Sequence, residues 1–502
     1  MGVVFGGHSE GPDMSSANTV RLGGWGVWAG LAVATAGLAI DCRSAWAQQD
    51  ATRRIERAVR EATEDYRLRV DPTLSLEERT QFEVGGFTSL TGVWLDDSAD
   101  NSRRLIQWDT NLFARASLDG VHNGFIRVRF PFREFSPGDS FDGRGDDWVD
   151  PFLDRYIYEF DLRRAIEVND GRTSEHNFNL RVGRQFVDWG AGLALSETLL
   201  SVRPTFTFYD RFRIEGLVGV TPNTTVDFDA SRSEFDRRTR RGYFGIRFVF
   251  TTEKSAEYYA FGLRMQDYNT DSNLRTPAGP VATANFKYSS TYFGLGSTGS
   301  LTSDITYLGE LVWQAGKSQS DPLVAAQSEE DISAFAGRAQ TSYLFRDERQ
   351  TRLQLEGLFA TGDSDRLSST DTVNGNFPGT KDTAFNSLGF ANLGLAFSPS
   401  FSNIYAIRAG GSTFPLRNDE WFHDLQIGLD FLVFGKMDKF GGIDETTGVD
   451  GFLGSEIDLS ANYRITSDLA VNARYGVFFP GDAITGPKAA RHFILLGVTL
   501  SF

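Results

Sequence analysis

Residues 494–502 read ILLGVTLSF. Ile494, Leu496, Val498, Leu500 and the terminal Phe502 fall on one parity, a period of two that belongs to an extended strand and not to a helix. The same split recurs upstream. In 125–133, Ile126, Val128, Phe130 and Phe132 oppose Arg127, Arg129 and Arg133; in 177–182, Phe178, Leu180 and Val182 oppose Asn179 and Arg181. It continues in 242–250 around Arg247, in 351–359 around Arg352 and Glu356, in 425–433 around Asp430, and in 456–464 around Glu456, Asp458 and Arg464. Runs of about ten residues separated by Gly, Asp, Asn and Ser clusters describe an antiparallel β architecture with one apolar face per strand.

Alternation alone does not separate a soluble sandwich from a membrane barrel. The ending favours the barrel, because a closing strand that finishes on an aromatic resembles the C-terminal signal read by the machinery that inserts outer-membrane barrels, which makes that machinery an expected partner through the Phe502 strand. Counting runs gives roughly eighteen strands. The long connections at about 136–153, 221–240, 267–282, 318–330, 361–390 and 436–451 are expected outside the cell, and tight turns such as Asp119-Gly120, Thr302–Asp304 and Thr466–Asp468 in the periplasm.

Composition agrees. The 502 residues include 42 Phe, 15 Tyr, 9 Trp and 52 Gly but one Cys, which removes disulfide scaffolds and Cys-based metal or nucleophile sites. The net charge of −16 argues against a nucleic-acid partner. Residues 23–40 are continuously apolar or small, follow Arg21 and precede Ala45-Trp46-Ala47, so 1–47 reads as a secretory signal peptide. Residues 48–79 read as a periplasmic leader whose Ile55, Val59, Ala62 and Tyr66 make an amphipathic helix, and 80–502 as the barrel. The expected setting is the bacterial outer membrane, with its lipid as surroundings.

If apolar residues face lipid, the other parity lines the interior. That wall would carry Arg115, Arg127, Arg129, Arg181, Arg213, Arg247, Arg264, Arg338, Arg352, Arg408, Arg464 and Arg474, among Asp109, Glu159, Asp161, Glu215, Glu310, Glu356, Asp430, Glu456 and Asp458. Guanidinium is a fixed planar charge that holds carboxylates bidentately, so the set as a whole points to an anion-preferring channel. For any one residue, a cross-strand charge ladder is the simpler account. The acidic runs Asp142–Asp150 and Gly362–Asp365 lack EF-hand spacing and read as solvated loops, and no cofactor or metal is expected. Past the signal peptide, residues 48–502 lack HExxH, GxSxG and the phosphate-loop pattern, so an enzyme is not expected.

Four stretches carry a resemblance: Leu180–Gly190 (LRVGRQFVDWG), Gly309–Lys317 (GELVWQAGK), Gly357–Phe377, and Leu453–Asp482, whose FFPGD is the most specific part. In order and spacing the chain resembles the alginate-export family of outer-membrane barrels. The resemblance implies an eighteen-stranded monomer whose Arg-rich lumen passes a polyuronate or similar anionic saccharide outward. It aligns Arg184 and Gln185 with the family's GRQ strand. The chain departs from the family pattern in its helical leader and in Phe186–Trp189 after GRQ. A general or anion-selective uptake porin is the alternative reading, differing in the length of the polymer carried.

Overall fold

The alternating runs fold as antiparallel strands that close on themselves. The computed structural model describes residues 80–136, 147–148, 150–222, 231, 240–269, 272–276, 279–389 and 391–502. The expected signal peptide and leader helix lie outside these residues, as do much of the 136–153 and 221–240 connections.

In chain order the elements are β1 (Thr80–Asp96), β2 (Ser102–Leu118), β3 (His122–Phe135), β4 (Asp147–Trp148), β5 (Phe152–Asp161), α1 (Leu162–Asp170), β6 (His176–Trp189), β7 (Leu195–Phe208), β8 (Phe212–Val220), β9 (Arg241–Thr251), β10 (Glu257–Asp267), β11 (Ser272–Thr276), β12 (Gly279–Ala284) and β13 (Ser289–Ser300). There follow β14 (Ile305–Gln319), β15 (Glu329–Leu344), β16 (Arg352–Ala360), β17 (Ile404–Thr413), β18 (Leu425–Gly435), β19 (Phe452–Arg464), β20 (Leu469–Pro480) and β21 (Arg491–Ser501). β11 and β12 pair only with each other, and the two-residue β4 adds to one edge of β3. The other eighteen strands each pair with the next, and β21 pairs back onto β1 from Phe87↔Ser501 to Leu95↔Phe493. Reciprocal bonds between Gly86 and Phe502, 2.8 and 2.9 Å, complete the seam. Closure satisfies the backbone groups that an open edge would leave unpaired in lipid.

Both ends of the described chain sit at one rim, here the terminal end. Most of its connections are short: Asp119-Gly120, with φ of 57° and 71°, makes the turn that Asp-Gly favours because both positions need positive φ. One terminal-end connection holds α1, which sequence reading did not anticipate. Asp161 caps it by accepting from the Arg164 N–H at 3.2 Å, and Gly171 ends it at φ 67°. The opposite rim, the loop end, carries the long connections, and this asymmetry orients the loop end outward from the cell.

The faces follow parity through most of the wall. Ile126 is 50% exposed on the outer face while neighbouring Arg127 is 0% exposed on the inner one. Phe244, Ile246, Phe248, Leu353, Leu355, Ile427, Leu429 and Phe431 likewise point outward.

The 361–403 connection departs from expectation. Expected as a polar external loop over 361–390, it folds into the barrel instead. Phe385, Leu388, Leu393, Phe397 and Phe401 are buried together with Leu193 and with inner-face residues Phe261, Tyr292, Val312, Ile332, Leu358, Leu432, Phe434 and Phe478. The outer faces of the same strands carry Phe293, Leu311, Trp313, Phe335, Phe431 and Phe479. Burying this apolar surface holds the connection inside.

Candidate functional site in the barrel interior

The interior has two walls. On the first, from β2 to β6, arginines meet carboxylates of neighbouring strands. Arg127 Nε donates to Asp154 at 2.8 Å and its Nη2 reaches the same oxygen. Asp154 sits where the β3–β5 register shifts, an extra residue that brings its carboxylate to Arg127. Arg129 Nε donates to both Asp109 oxygens at 2.9 and 2.8 Å, and Asp109 also accepts from Gln107 and Asn111. Glu159 takes Arg181 Nε at 3.1 Å and Asn179 at 2.6 Å. These groups are largely withdrawn from water, where an unmatched charge is costly, so pairing is a condition of their being there. Farther round, Arg247 lies 3.7 Å from Glu215 and 5.1 Å from the Tyr259 ring centre, and Arg213 donates to Glu215 at 2.8 Å. Arg115 pairs with Glu83 near the terminal end.

Arg184, carried over from the motif match, does not share this face. Its partners in register are Tyr156 and Leu200, both on the outer side, and its Nη1 donates to the Leu153 carbonyl at 3.2 Å. Gln185 faces the opposite way and donates to the Ser201 carbonyl.

The second wall, from β14 to β19, directs its charges at inserted backbone. Glu310 accepts from the Ala191 N–H at 2.6 Å and from the Tyr259 hydroxyl at 2.7 Å. Ala191 belongs to the 190–194 connection that follows the DW of the GRQFVDW stretch. Gly190 makes this approach possible, since its φ is 73° and a Cβ there would strike the Glu310 carboxylate. Arg338 joins Glu356, at 2.7 Å, to the Ala191 carbonyl, at 3.1 Å. Arg408 bonds the other Glu356 oxygen at 3.1 Å and the carbonyls of Asn392 and Leu393 at 2.6 and 2.5 Å. Glu456 accepts three consecutive N–H groups, from Leu395, Ala396 and Phe397, at 2.5, 2.7 and 2.8 Å. Phe397 then stacks on Phe478 of the FFPGD stretch with centroids 4.2 Å apart. Arg338 and Arg408 therefore hold protein rather than open space.

Within the inserted connection Arg366 binds Asp382 at 2.6 and 3.1 Å and the Asp371 carbonyl at 2.9 Å. Burial pushes the Asp371 carboxyl up to about 8; the Val373 N–H and Arg366 work against that shift, and Asp321 and Asp444 add to it. Burial also raises Asp363 and Asp321.

Toward the terminal end the wall changes. Cross-strand register sets Arg352, Ser412, Gly428, Ser460 and Arg474 in one row, with Gln354, Gly410, Asp430 and Asp458 in the row above. Arg352 donates to the Ser342 hydroxyl at 2.8 Å, and Arg474 to the Ala473 carbonyl at 3.3 Å. Neither forms a salt bridge among the described residues, and Asp430 in the row above is near enough to attract Arg474. Arg464, at the rim, is 3.4 Å from Asp424 and mostly exposed.

Arg264 requires a correction. On β10 the buried residues are Tyr259, Phe261, Leu263, Met265 and Asp267, and Arg264 shares the outer face with Tyr258. The apolar side of this strand faces the inserted segments, which inverts the rule that apolar means lipid. Among the described residues no group of three or more His, Cys, Asp or Glu is placed to hold a metal ion.

The profile of the family described as Alginate export matches residues 155–494. Among solved structures, OccAB2 of Acinetobacter baumannii is similar at 10% identity and a TM-score of 0.51, covering 84% of this chain and 98% of that one. OccK8 (OprE) of Pseudomonas aeruginosa is similar at 10% identity and a TM-score of 0.50, with the same coverage. At such identity the likeness is one of fold. No curated protein sequence matches the chain.

Proposed function

The chain belongs to the alginate export family and is a channel of the bacterial outer membrane, and on that premise we propose that it carries an anionic saccharide, a polyuronate or a shorter sugar acid. The carrying observation is the wall between the inserted segments and the terminal end. There the hydroxyls and amides of Ser342, Gln354, Ser412, Gln426 and Asn462 share the wall with Arg352 and Arg474, which form no salt bridge among the described residues. Hydroxyls and amides exchange hydrogen bonds with a polyol, and a guanidinium matches a carboxylate in charge and shape. Asp430, one row away, repels the same carboxylate and confines it to the arginine side. Family and fold favour transport over catalysis.

Reversal potentials of the purified protein in planar bilayers under a salt gradient test this reading. Anion preference, with block by mannuronate or glucuronate oligomers, is the expected result, and Arg352→Glu with Arg474→Glu should lower both severalfold. Unchanged selectivity in that double variant would sink the proposal. A second reading, an anion-selective uptake porin for small solutes, is favoured by one observation: the connection 361–403 occupies part of the interior. Block that strengthens with oligomer length supports the polymer; block by monomers alone supports the porin.

A further inference from the structure

The outer face of β9, β10 and β13–β15 is ordered in rows. Cross-strand register aligns Ile246, Gly262, Phe293, Trp313 and Phe335. Phe293 and Trp313 stack at 5.4 Å, and these two and Phe335 are exposed on the outside of the barrel. An exposed aromatic row on a barrel wall marks the boundary between hydrocarbon and headgroups. The next row toward the loop end is Phe244, Arg264, Thr291, Ala315 and Ser333, followed by one that includes Gln266, Lys317 and Asp331. Two residues along a strand span about 6–7 Å, so Arg264 stands at headgroup depth on the outward side of the membrane.

At that level an arginine costs little, whereas deeper in lipid it would be expelled. Arg264 spends one terminal nitrogen on the Thr291 hydroxyl at 3.1 Å and the other on the Gln266 carbonyl oxygen at 2.8 Å. Both acceptors are neutral. Lys317 nearby is answered by Asp331 at 2.7 Å, but no carboxylate answers Arg264 among the described residues. The two neutral bonds fix the plane of the guanidinium, and its remaining N–H groups are free to meet an anion.

We propose that Arg264, oriented by Thr291 and Gln266 above the Phe293–Trp313–Phe335 row, binds the phosphate of a phosphorylated glycolipid headgroup in the outer leaflet. The aromatic row takes the first part of the acyl chains and the guanidinium takes the phosphate. Charge complementarity and depth both select this occupant: a cation with no carboxylate partner among the described residues, held where lipid phosphates lie.

The test uses the full mature protein in nanodiscs, with bisphosphorylated and fully dephosphorylated lipid A as probes, and retained lipid read by native mass spectrometry. The wild type should retain the phosphorylated lipid about tenfold better than Arg264→Gln does, the size of one charge-assisted contact. Arg264→Lys should recover part of the difference. Heat-modifiable gel migration and single-channel conductance, which should not change, establish that each variant is folded. Equal retention by folded Arg264→Gln, equal binding of the dephosphorylated lipid, or tight binding of inorganic phosphate alone would each overturn the assignment.

Discussion

The walls built from β2–β6 and from β14–β19 use the same residue types and use them differently. On the first, Arg127, Arg129 and Arg181 are matched side chain to side chain with Asp154, Asp109 and Glu159. On the second, Glu310 and Glu456, and Arg338 and Arg408 held by Glu356, reach the backbone of residues 191 and 392–397. A charge matched within the sheet stabilises the wall, and a charge matched to inserted backbone stabilises whatever has been inserted. Counting charges along a barrel does not distinguish these uses. Groups that form no salt bridge among the described residues, such as Arg352 and Arg474, remain available to a solute.

This contrast can be broken at either wall. The largest effect is expected from Arg129→Met, which strands the Asp109 carboxylate among Gln107 and Asn111 and should cost about 3–5 kcal/mol of barrel stability. Urea titration in lipid vesicles reads it, and Arg129→Met with Asp109→Leu should recover most of the loss. Were the single change to cost under about 1 kcal/mol, the matched-wall description fails.

Glu456→Ala comes next. It orphans three N–H groups and should loosen residues 393–403 by about 2–3 kcal/mol, seen as faster amide exchange there and larger, noisier conductance. The urea midpoint should move less than for Arg129→Met. If the midpoint falls as far while exchange at 395–397 stays slow, Glu456 belongs to the wall and not to the latch.

A smaller effect should follow from pH. Asp371 takes up a proton with a pKa of about 8 in the docked connection and at its ordinary 3.8 once released. Between those values the docked form holds the extra proton, so docking weakens as pH rises and the loss is complete above about 8. Exchange of the 361–403 amides, corrected for intrinsic rate, should therefore be faster at pH 9 than at pH 6. Asp371→Asn should flatten the profile, and a profile of unchanged slope would remove Asp371 as its cause. The smallest effect is expected from Arg338→Lys, which keeps the charge but cannot span Glu356, Gln340 and the Ala191 carbonyl together, and should cost about 1 kcal/mol of local stability by the same exchange measurement.

Much of the wall was legible in the order of residues. Ile126 against Arg127, Phe244 against Arg247 and Leu353 against Arg352 each declared their faces, because a strand sends successive side chains to opposite sides wherever it is placed. The strand count of roughly eighteen followed from the same period. Asp154 as the partner of Arg127 was hidden, since the register shift that delivers it leaves no mark on the alternation. Helix α1 was hidden too, its nine residues being too few for a periodic signal to stand out.

What the sequence determined by itself is local: roughly eighteen alternating strands, a last strand whose apolar parity ends on Phe502, and resemblance enough to expect the family. What tertiary structure alone decided is which medium each face meets. Tyr259, Phe261, Leu263 and Met265 look like a lipid face and are an inner one, because residues 190–194 and the 361–403 connection fill the barrel beside them and supply the apolar contact that lipid supplies elsewhere. Arg264 is displaced outward by the same fact. A strand's own residues encode that its two faces differ, but the burial that gives each face its meaning comes from segments distant in the chain.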